Sequence, residues 1–241
     1  MATRSHRIAL LIDAENAPAA KIQDILAEVA RHGSCTIRRA YGDWTAAQLG
    51  PWREALAPHA LHPVQQFAYA KGKNAADISM VIDAMDVLHA GQADGFAVVS
   101  SDADFTPLVM RLRHSGMQVL GFGERKAAGA LVSACTAFLY LEELGAEETP
   151  AAPQGRRTRN QLRGDAALVK LLRGAVAASA QEDGWAHLGA VGAVIRNQSS
   201  FDERNHGYAK LSGLLEATEL FEIRRRDKVV HVRDPRAAEA P

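Results

Sequence analysis

The chain has 241 residues, 47% of them hydrophobic, and its 28 Lys and Arg balance 28 Asp and Glu. That is enough apolar material for one large core or two small ones, and it excludes a disordered or fibrous chain. No run of about 18 apolar residues suits a membrane span. The roughly five strongly apolar residues after Arg7 are too few for a signal peptide. Cys35 and Cys135 lack a CxxC partner and point to neither a disulfide framework nor a structural zinc. A cytoplasmic protein without a membrane partner is expected.

In chain order, strand-like and helix-like segments alternate from Arg7 to Leu144. Strands are expected near Arg7 to Ile12, Thr36 to Tyr41, His62 to Phe67, Phe96 to Ser100, Val119 to Phe122 and Ala137 to Leu141. Helices are expected near Pro18 to Arg31, Thr45 to Leu56, Ala75 to Ala90, Phe105 to Ser115 and Ala127 to Ala134. Alternation of this kind implies right-handed crossovers and a mostly parallel α/β sheet with helices on both faces. In the helix after the third strand, Ile78, Val81, Ile82, Met85 and Leu88 read as the apolar stripe, with Asp77 at its edge and Asp83 turned toward water.

Composition then changes. Thr149-Pro150-Ala151-Ala152-Pro153-Gln154-Gly155 has almost nothing to bury, and Arg156, Arg157, Arg159 and Arg163 follow without an acid among them. A Pro/Arg-rich linker over residues 148–164 is expected, dividing a first domain, 1–147, from a second, 165–235, with 236–241 as a tail. The arginines read as a solvated linker or as a strip that meets phosphate. The second domain shows helices near Ala166 to Ser179, His187 to Ile195 and Tyr208 to Ala217. Two alternating runs follow, Phe221 to Arg224 and Lys228 to Val232, so helices followed by a hairpin describe a small winged helix. Trp185 reads as packing.

Chemistry is concentrated where the first and fourth strands end. Ile8-Ala9-Leu10-Leu11-Ile12 delivers Asp13, Glu15 and Asn16, and Phe96-Ala97-Val98-Val99 delivers Ser100, Ser101, Asp102 and Asp104. If those strands are neighbours, their acids meet where strand order reverses, the usual ligand crevice of an open α/β sheet. Asp77 opens the third helix, beside Lys71 and Lys73, two cations suited to drawing in a polyanion. Oxygen ligands of this kind suit Mg2+ or Mn2+, and a bound ion can activate water against a phosphodiester. Each acid also has a plainer reading: Asp104 as a helix cap, Asp13 in a turn, Asp77 as a first-turn carboxylate facing the helix dipole. In the second domain Arg204, Asn205, His206 and Lys210 lie at the entrance to the third helix, where a helix-turn-helix module touches nucleic-acid backbone. Arg224, Arg225, Arg226 and Lys228 crowd the hairpin, for phosphate contact or to keep the edge from pairing.

Three segments carry a resemblance. Leu11-Ile12-Asp13-Ala14-Glu15-Asn16, Lys71-Gly72-Lys73-Asn74-Ala75-Ala76-Asp77 and Val99-Ser100-Ser101-Asp102-Ala103-Asp104-Phe105 look like the signatures of NYN domains, PIN-like metal-dependent ribonucleases. Tyr41-Gly42-Asp43-Trp44 looks like the segment after that family's second strand. The resemblance implies a PIN-like (Rossmannoid) sheet and RNA cleavage with Mg2+ or Mn2+. Asp13, Asp77, Asp102 and Asp104 stand at the acidic positions, and Asn16 at their polar companion. Ser101 and Ala103 stand where many members have glycine.

Gly207 to Glu216 together with Phe221-Glu222-Ile223 resembles the end of a LOTUS, or OST-HTH, domain, which implies binding of RNA, single-stranded or structured, G-rich RNA included. A ribonuclease, endonuclease rather than exonuclease, whose second domain selects or tethers RNA is the leading expectation, with Lys71, Lys73, Ser100, Ser101, Lys210, Arg224, Arg225, Arg226 and Lys228 as RNA contacts. The competing expectation is a non-catalytic RNA-binding regulator with a vestigial acidic pocket. A phosphatase is a weaker rival, since Asp13-Ala14-Glu15 lacks a second aspartate and no GxxxxGK loop is present. A homodimer is left open.

Overall fold

The computed structural model describes residues 6–67, 75–145, 156–181, 183–198, 200–226 and 229–238. The chain divides into two compact units, Met1–Gly145 and Ala146–Pro241. Among the described residues no helix is long and apolar enough to cross a membrane.

The first unit is a six-stranded parallel sheet in the order β3-β2-β1-β4-β5-β6. Its strands are β1 (Arg7–Asp13), β2 (Ser34–Gly42), β3 (His62–Gln65), β4 (Gly95–Val99), β5 (Gln118–Gly123) and β6 (Ala137–Tyr140). Its helices are α1 (Ile22–His32), α2 (Gly50–Leu56), α3 (Ala75–His89), α4 (Thr106–His114) and α5 (Gly129–Ala134). β1 and β4 are buried along almost their whole length, as parallel strands covered on both faces must be. Alternate residues go to opposite cores. Ile8, Leu10 and Ile12 pack with Ile25, Val29 and Trp52, whereas Ala9 and Leu11 pack with Met80, Leu108 and Phe138. The sheet is therefore a filled sandwich, and only its edges and strand ends remain for chemistry.

α3 does not bury the expected stripe. Its inward residues are Ala76, Met80, Ala84 and Val87, while Ile78 and Ile82 are 61% and 57% exposed. Val81, Met85 and Leu88 are only partly buried. The helix is apolar almost all round, so a wheel drawn on the sequence does not select one face. Two things do. Ala76 and Ala84 let the helix sit close to the sheet, and Asp83, three residues after Met80 on that same face, bonds the Tyr41 hydroxyl and the Arg39 guanidinium on β2. Asp83 thus points at the sheet rather than at water, and Tyr41, fully buried, has its hydroxyl pKa raised by burial and by Asp83.

The second unit contains α6 (Arg159–Gly164), α7 (Ala166–Ser179), β7 (Ala186–His187), α8 (Leu188–Gln198), α9 (Leu211–Thr218), β8 (Glu222–Arg226) and β9 (Val229–Arg233). The three strands form an antiparallel sheet, β7-β9-β8, over a core that includes Leu168, Leu172, Val176, Ile195, Leu214, Leu215 and Val232. This is a winged-helix arrangement.

The expected linker is corrected here. Residues 148–155 lie outside the described residues, but Arg159–Gly164 is a helix opened by a capping box between Thr158 and Gln161, and Leu162 is fully buried in the core. An amphipathic turn this short carries no readable period, which is why the arginines dominated its appearance. They are staples. Arg157 pairs with Asp165 at 2.8 Å, Arg159 with Glu219 at 2.6 Å, and Arg156 lies over the Tyr208 ring. Arg163 donates to the carbonyls of Thr218 and Glu219 at 2.7 and 2.6 Å, satisfying the C-terminal end of α9. The nominal tail begins with a 3-10 turn, Pro235–Ala238.

Two stability measurements check these assignments. Leu162→Ala should destabilise the second unit by about 2–5 kcal/mol in urea unfolding, as loss of a buried leucine does. Asp83→Ala leaves a buried hydroxyl without its acceptor and should lower the stability of the first unit by about 1–3 kcal/mol.

Candidate active site

The neighbouring ends of β1 and β4 form the point where strand order reverses, with Ile12 opposite Val99. Asp13 closes β1 and is 2% exposed. Asn16 donates from Nδ2 to Asp13 Oδ2 at 2.9 Å and from its backbone to Oδ1 at 3.2 Å, and Ser100 Oγ donates to Oδ2 at 2.9 Å. Burial pushes the Asp13 carboxyl above the usual range, and these three bonds pull against it. Ser100 is itself buried and accepts from the Asp102 backbone at 3.1 Å, so one hydroxyl joins the acid on β1 to the loop after β4.

That loop is braced from several sides. Asp102 Oδ1 accepts from the Asp104 backbone at 2.9 Å, so Asp102 caps the 3-10 turn Ala103–Phe105 that leads into α4. The cap is Asp102, then, and Asp104 stands exposed in the turn's first residues. Ser101 Oγ accepts from Glu124 N at 2.8 Å. Close by, a side chain on Gly123 would place its Cβ 2.8 Å from the Ser100 carbonyl, so β5 approaches the loop only because glycine stands there. Serine at position 101 gives the loop an anchor that glycine could not.

Asp77, in the first turn of α3, joins them electrostatically. Its carboxyl is pushed up to about 6, first by burial and then by the charges of Asp13, Asp102, Glu15 and Asp104. The charges of the other three expected acids are therefore felt at Asp77, with that of Glu15 beside them. Glu15 Oε1 accepts from the Asp43 backbone at 3.0 Å, and Asp43 Oδ1 in turn accepts from Thr45 and from Gln65 Nε2. The segment after β2 is thus a bracket for Glu15, a role its exposed, unremarkable position in the sequence did not signal.

The donor set is all carboxylate oxygen, the preference of Mg2+ and Mn2+. Among the described residues, however, no three His, Cys, Asp or Glu side chains already form a group that could hold a metal ion. Oxygens of the set are committed elsewhere: Asp13 Oδ2 accepts two bonds and its Oδ1 one, and Asp102 Oδ1 holds a cap. The chemistry fits an ion that keeps several waters, as Mg2+ does.

Lys71, Lys73 and Lys228 lie outside the described residues. In the second unit Lys210 is exposed at the start of α9, and Arg224, Arg225 and Arg226 are exposed along β8. Arg204 forks onto Asp202 through Nε and Nη2 at 2.9 and 2.7 Å.

The model of the NYN domain matches residues 7–142, the whole of the sheet with its acids. The chain belongs to the NYN domain family. That family is one of PIN-like nucleases, and an OST-HTH/LOTUS domain, an RNA-binding type, matches residues 163–232. No curated protein matches. Three solved structures are similar in part. A protein of unknown function, VPA0982 from Vibrio parahaemolyticus, is 18% identical, covering 58% of this chain and 95% of its own, with a TM-score of 0.48. An uncharacterised protein from locus NE0665 of Nitrosomonas europaea is 30% identical over 37% of this chain and 87% of its own, with a TM-score of 0.28. MurG of Acinetobacter baumannii is 13% identical over 79% and 64%, with a TM-score of 0.38. The NYN assignment rests on the family model and the sheet, not on these.

The NYN unit's crowded acids have a cost that can be measured. A carboxyl raised in the folded chain prefers its proton there, so stability falls as pH climbs from 3.8 toward about 6 and stays reduced above it. Asp77→Asn removes that repulsion. With EDTA present, the variant should melt above the wild type at about pH 8, and the difference should shrink toward about pH 4.

Proposed function

We propose that the protein is a divalent-metal-dependent ribonuclease, hydrolysing RNA phosphodiester bonds within the strand, with its OST-HTH/LOTUS unit selecting or tethering the substrate. The observation that carries this reading is the reversal of strand order between β1 and β4, where buried Asp13 is tied through Ser100 to the Asp102 loop and the charges of four other carboxylates reach Asp77, an arrangement that a simple polyanion binder has no use for. Mg2+ or Mn2+, when bound, would lower the pKa of a water and draw charge from a phosphoryl oxygen. Asp13, Asp77, Asp102 and Asp104 are the residues proposed to hold it, directly or through water.

The chain's own parts have separable tasks. Asn16 and Ser100 keep Asp13 in one orientation inside an almost water-free position. Asp102 and Asp104 present carboxylates at the start of α4, and Ser101 holds their loop against β5. Water's oxygen bonds to phosphorus as the bridging P–O bond breaks, and the leaving oxygen takes up a proton. Beside Glu15, a cavity of about 340 Å³ lined in part by Ala17, Pro18, Leu49 and Trp52 offers an apolar wall for a base of the strand. Lys71 and Lys73 are proposed to meet phosphates near the acids.

A second reading, a non-catalytic RNA-binding regulator, draws on the described side chains not being gathered into a three-ligand group. One assay separates the two. Purified protein and an Asp102→Asn variant are incubated with single-stranded, duplex and G-rich RNA, with and without Mg2+ or Mn2+. Divalent-dependent internal cutting that the variant loses by about a hundredfold or more, while still binding RNA, is the expected result. Cutting equal in both proteins would point to contamination and leave the regulator reading in place.

A further inference from the structure

The sheet of the second unit has two unlike faces. Successive side chains on a strand point to opposite sides, and register then sorts every residue. Ala186, Ile223 and Val232 face the helices, with Ala186 and Val232 fully buried. On the other side His187, His231 and Arg224 form one cross-strand row, flanked by the pairs Glu222 with Arg233 and Arg226 with Val229. Trp185, two residues before His187, joins that outer face.

These outer groups are already stacked on one another. The guanidiniums of Arg224 and Arg233 lie 4.4 and 4.8 Å from the Trp185 ring centroid, and the His187 and His231 rings meet edge to face at 5.7 Å. Trp185 takes no part in the unit's hydrophobic core. Its ring meets cations instead, which keeps both guanidiniums flat. Glu222, an acid of this face, is engaged by Arg233 at 2.9 Å. Flat aromatic and guanidinium surfaces interleaved with positive charge are what unpaired bases and phosphates bind.

We infer that this outer sheet face is the RNA-contact surface of the second unit, where bases of a single strand stack against the Trp185–Arg224 pair and the His187 and His231 rings while phosphates pair with Arg224 and Arg226. The inference rests on the reading that this unit binds RNA, and it divides the hairpin arginines. Arg225 falls on the opposite side, where its Nη2 donates to Glu216 Oε1 of α9 at 2.6 Å. Three consecutive arginines thus have two different jobs, decided by pleat.

The parity supplies its own control. Binding of the full chain to a labelled, unstructured oligoribonucleotide is measured by anisotropy in EDTA over a salt series, so the result is independent of whether the NYN unit cuts. Arg224→Glu with Arg226→Glu should weaken binding about tenfold or more and make the salt dependence shallower by about 0.7 per lost phosphate contact. Trp185→Ala should weaken it about tenfold with the salt slope unchanged. Arg225→Glu, the same change of charge on the other face, should alter affinity less than about twofold. Arg226→Glu alone, at an exposed position outside the core, keeps the test decisive if Trp185→Ala unfolds. Equal loss in the Arg225 and Arg226 variants, or no loss in either, would overturn the assignment. So would equal competition by poly-glutamate, which would transfer the face to an acidic protein partner.

Discussion

Asp13 is a carboxylate kept almost out of water, and its tolerance there depends on Asn16 and Ser100 supplying hydrogen bonds that water would otherwise give. The rest of the first unit is arranged around that condition. Ser100 can reach Asp13 only because β1 and β4 are neighbours, and they are neighbours only in a sheet whose order reverses between them. The same adjacency brings the Asp102 loop alongside, and α3, packed in the same core as Phe105, adds Asp77. Repulsion among these groups opposes folding, so the two apolar cores must outweigh it. Acids held together in this way trade stability for a place where a cation would be welcome.

Position is set by polar anchors more than by apolar area. α3 could present several apolar faces to the sheet, and the bonds from Asp83 to Tyr41 and Arg39 select one, leaving Ile78 and Ile82 in solvent. That choice fixes where Asp77 stands. In the second unit the arginines before α7 act similarly, tying α6 to the end of α9 and allowing Leu162 into the core. Both cases show charged groups spending their hydrogen bonds on orientation rather than on solvent.

Much of the site could be read along the chain. Buried strand runs ending in Asp13 and in Asp102 and Asp104 need only local pattern and composition, and so does the alternation that implies a parallel sheet. Other parts could not be read so. β7 is two residues long, too short for any period, yet it supplies the edge that turns His187 and Trp185 outward. The bracket that holds Glu15 is not legible there, because its partner, the Asp43 backbone, is distant in sequence. The buried face of α3 differs from the expected stripe because an almost uniformly apolar helix carries no directional signal of its own.

Sequence by itself therefore determined the class of fold, the two-part organisation and the identity of the acids at the strand ends, because burial and strand period are local properties. Tertiary structure alone decided which oxygen each acid has already committed, which face α3 shows the sheet, and which of three adjacent arginines share a surface. Those outcomes depend on strand register and on hydrogen bonds between residues far apart in the chain, and no local pattern encodes either.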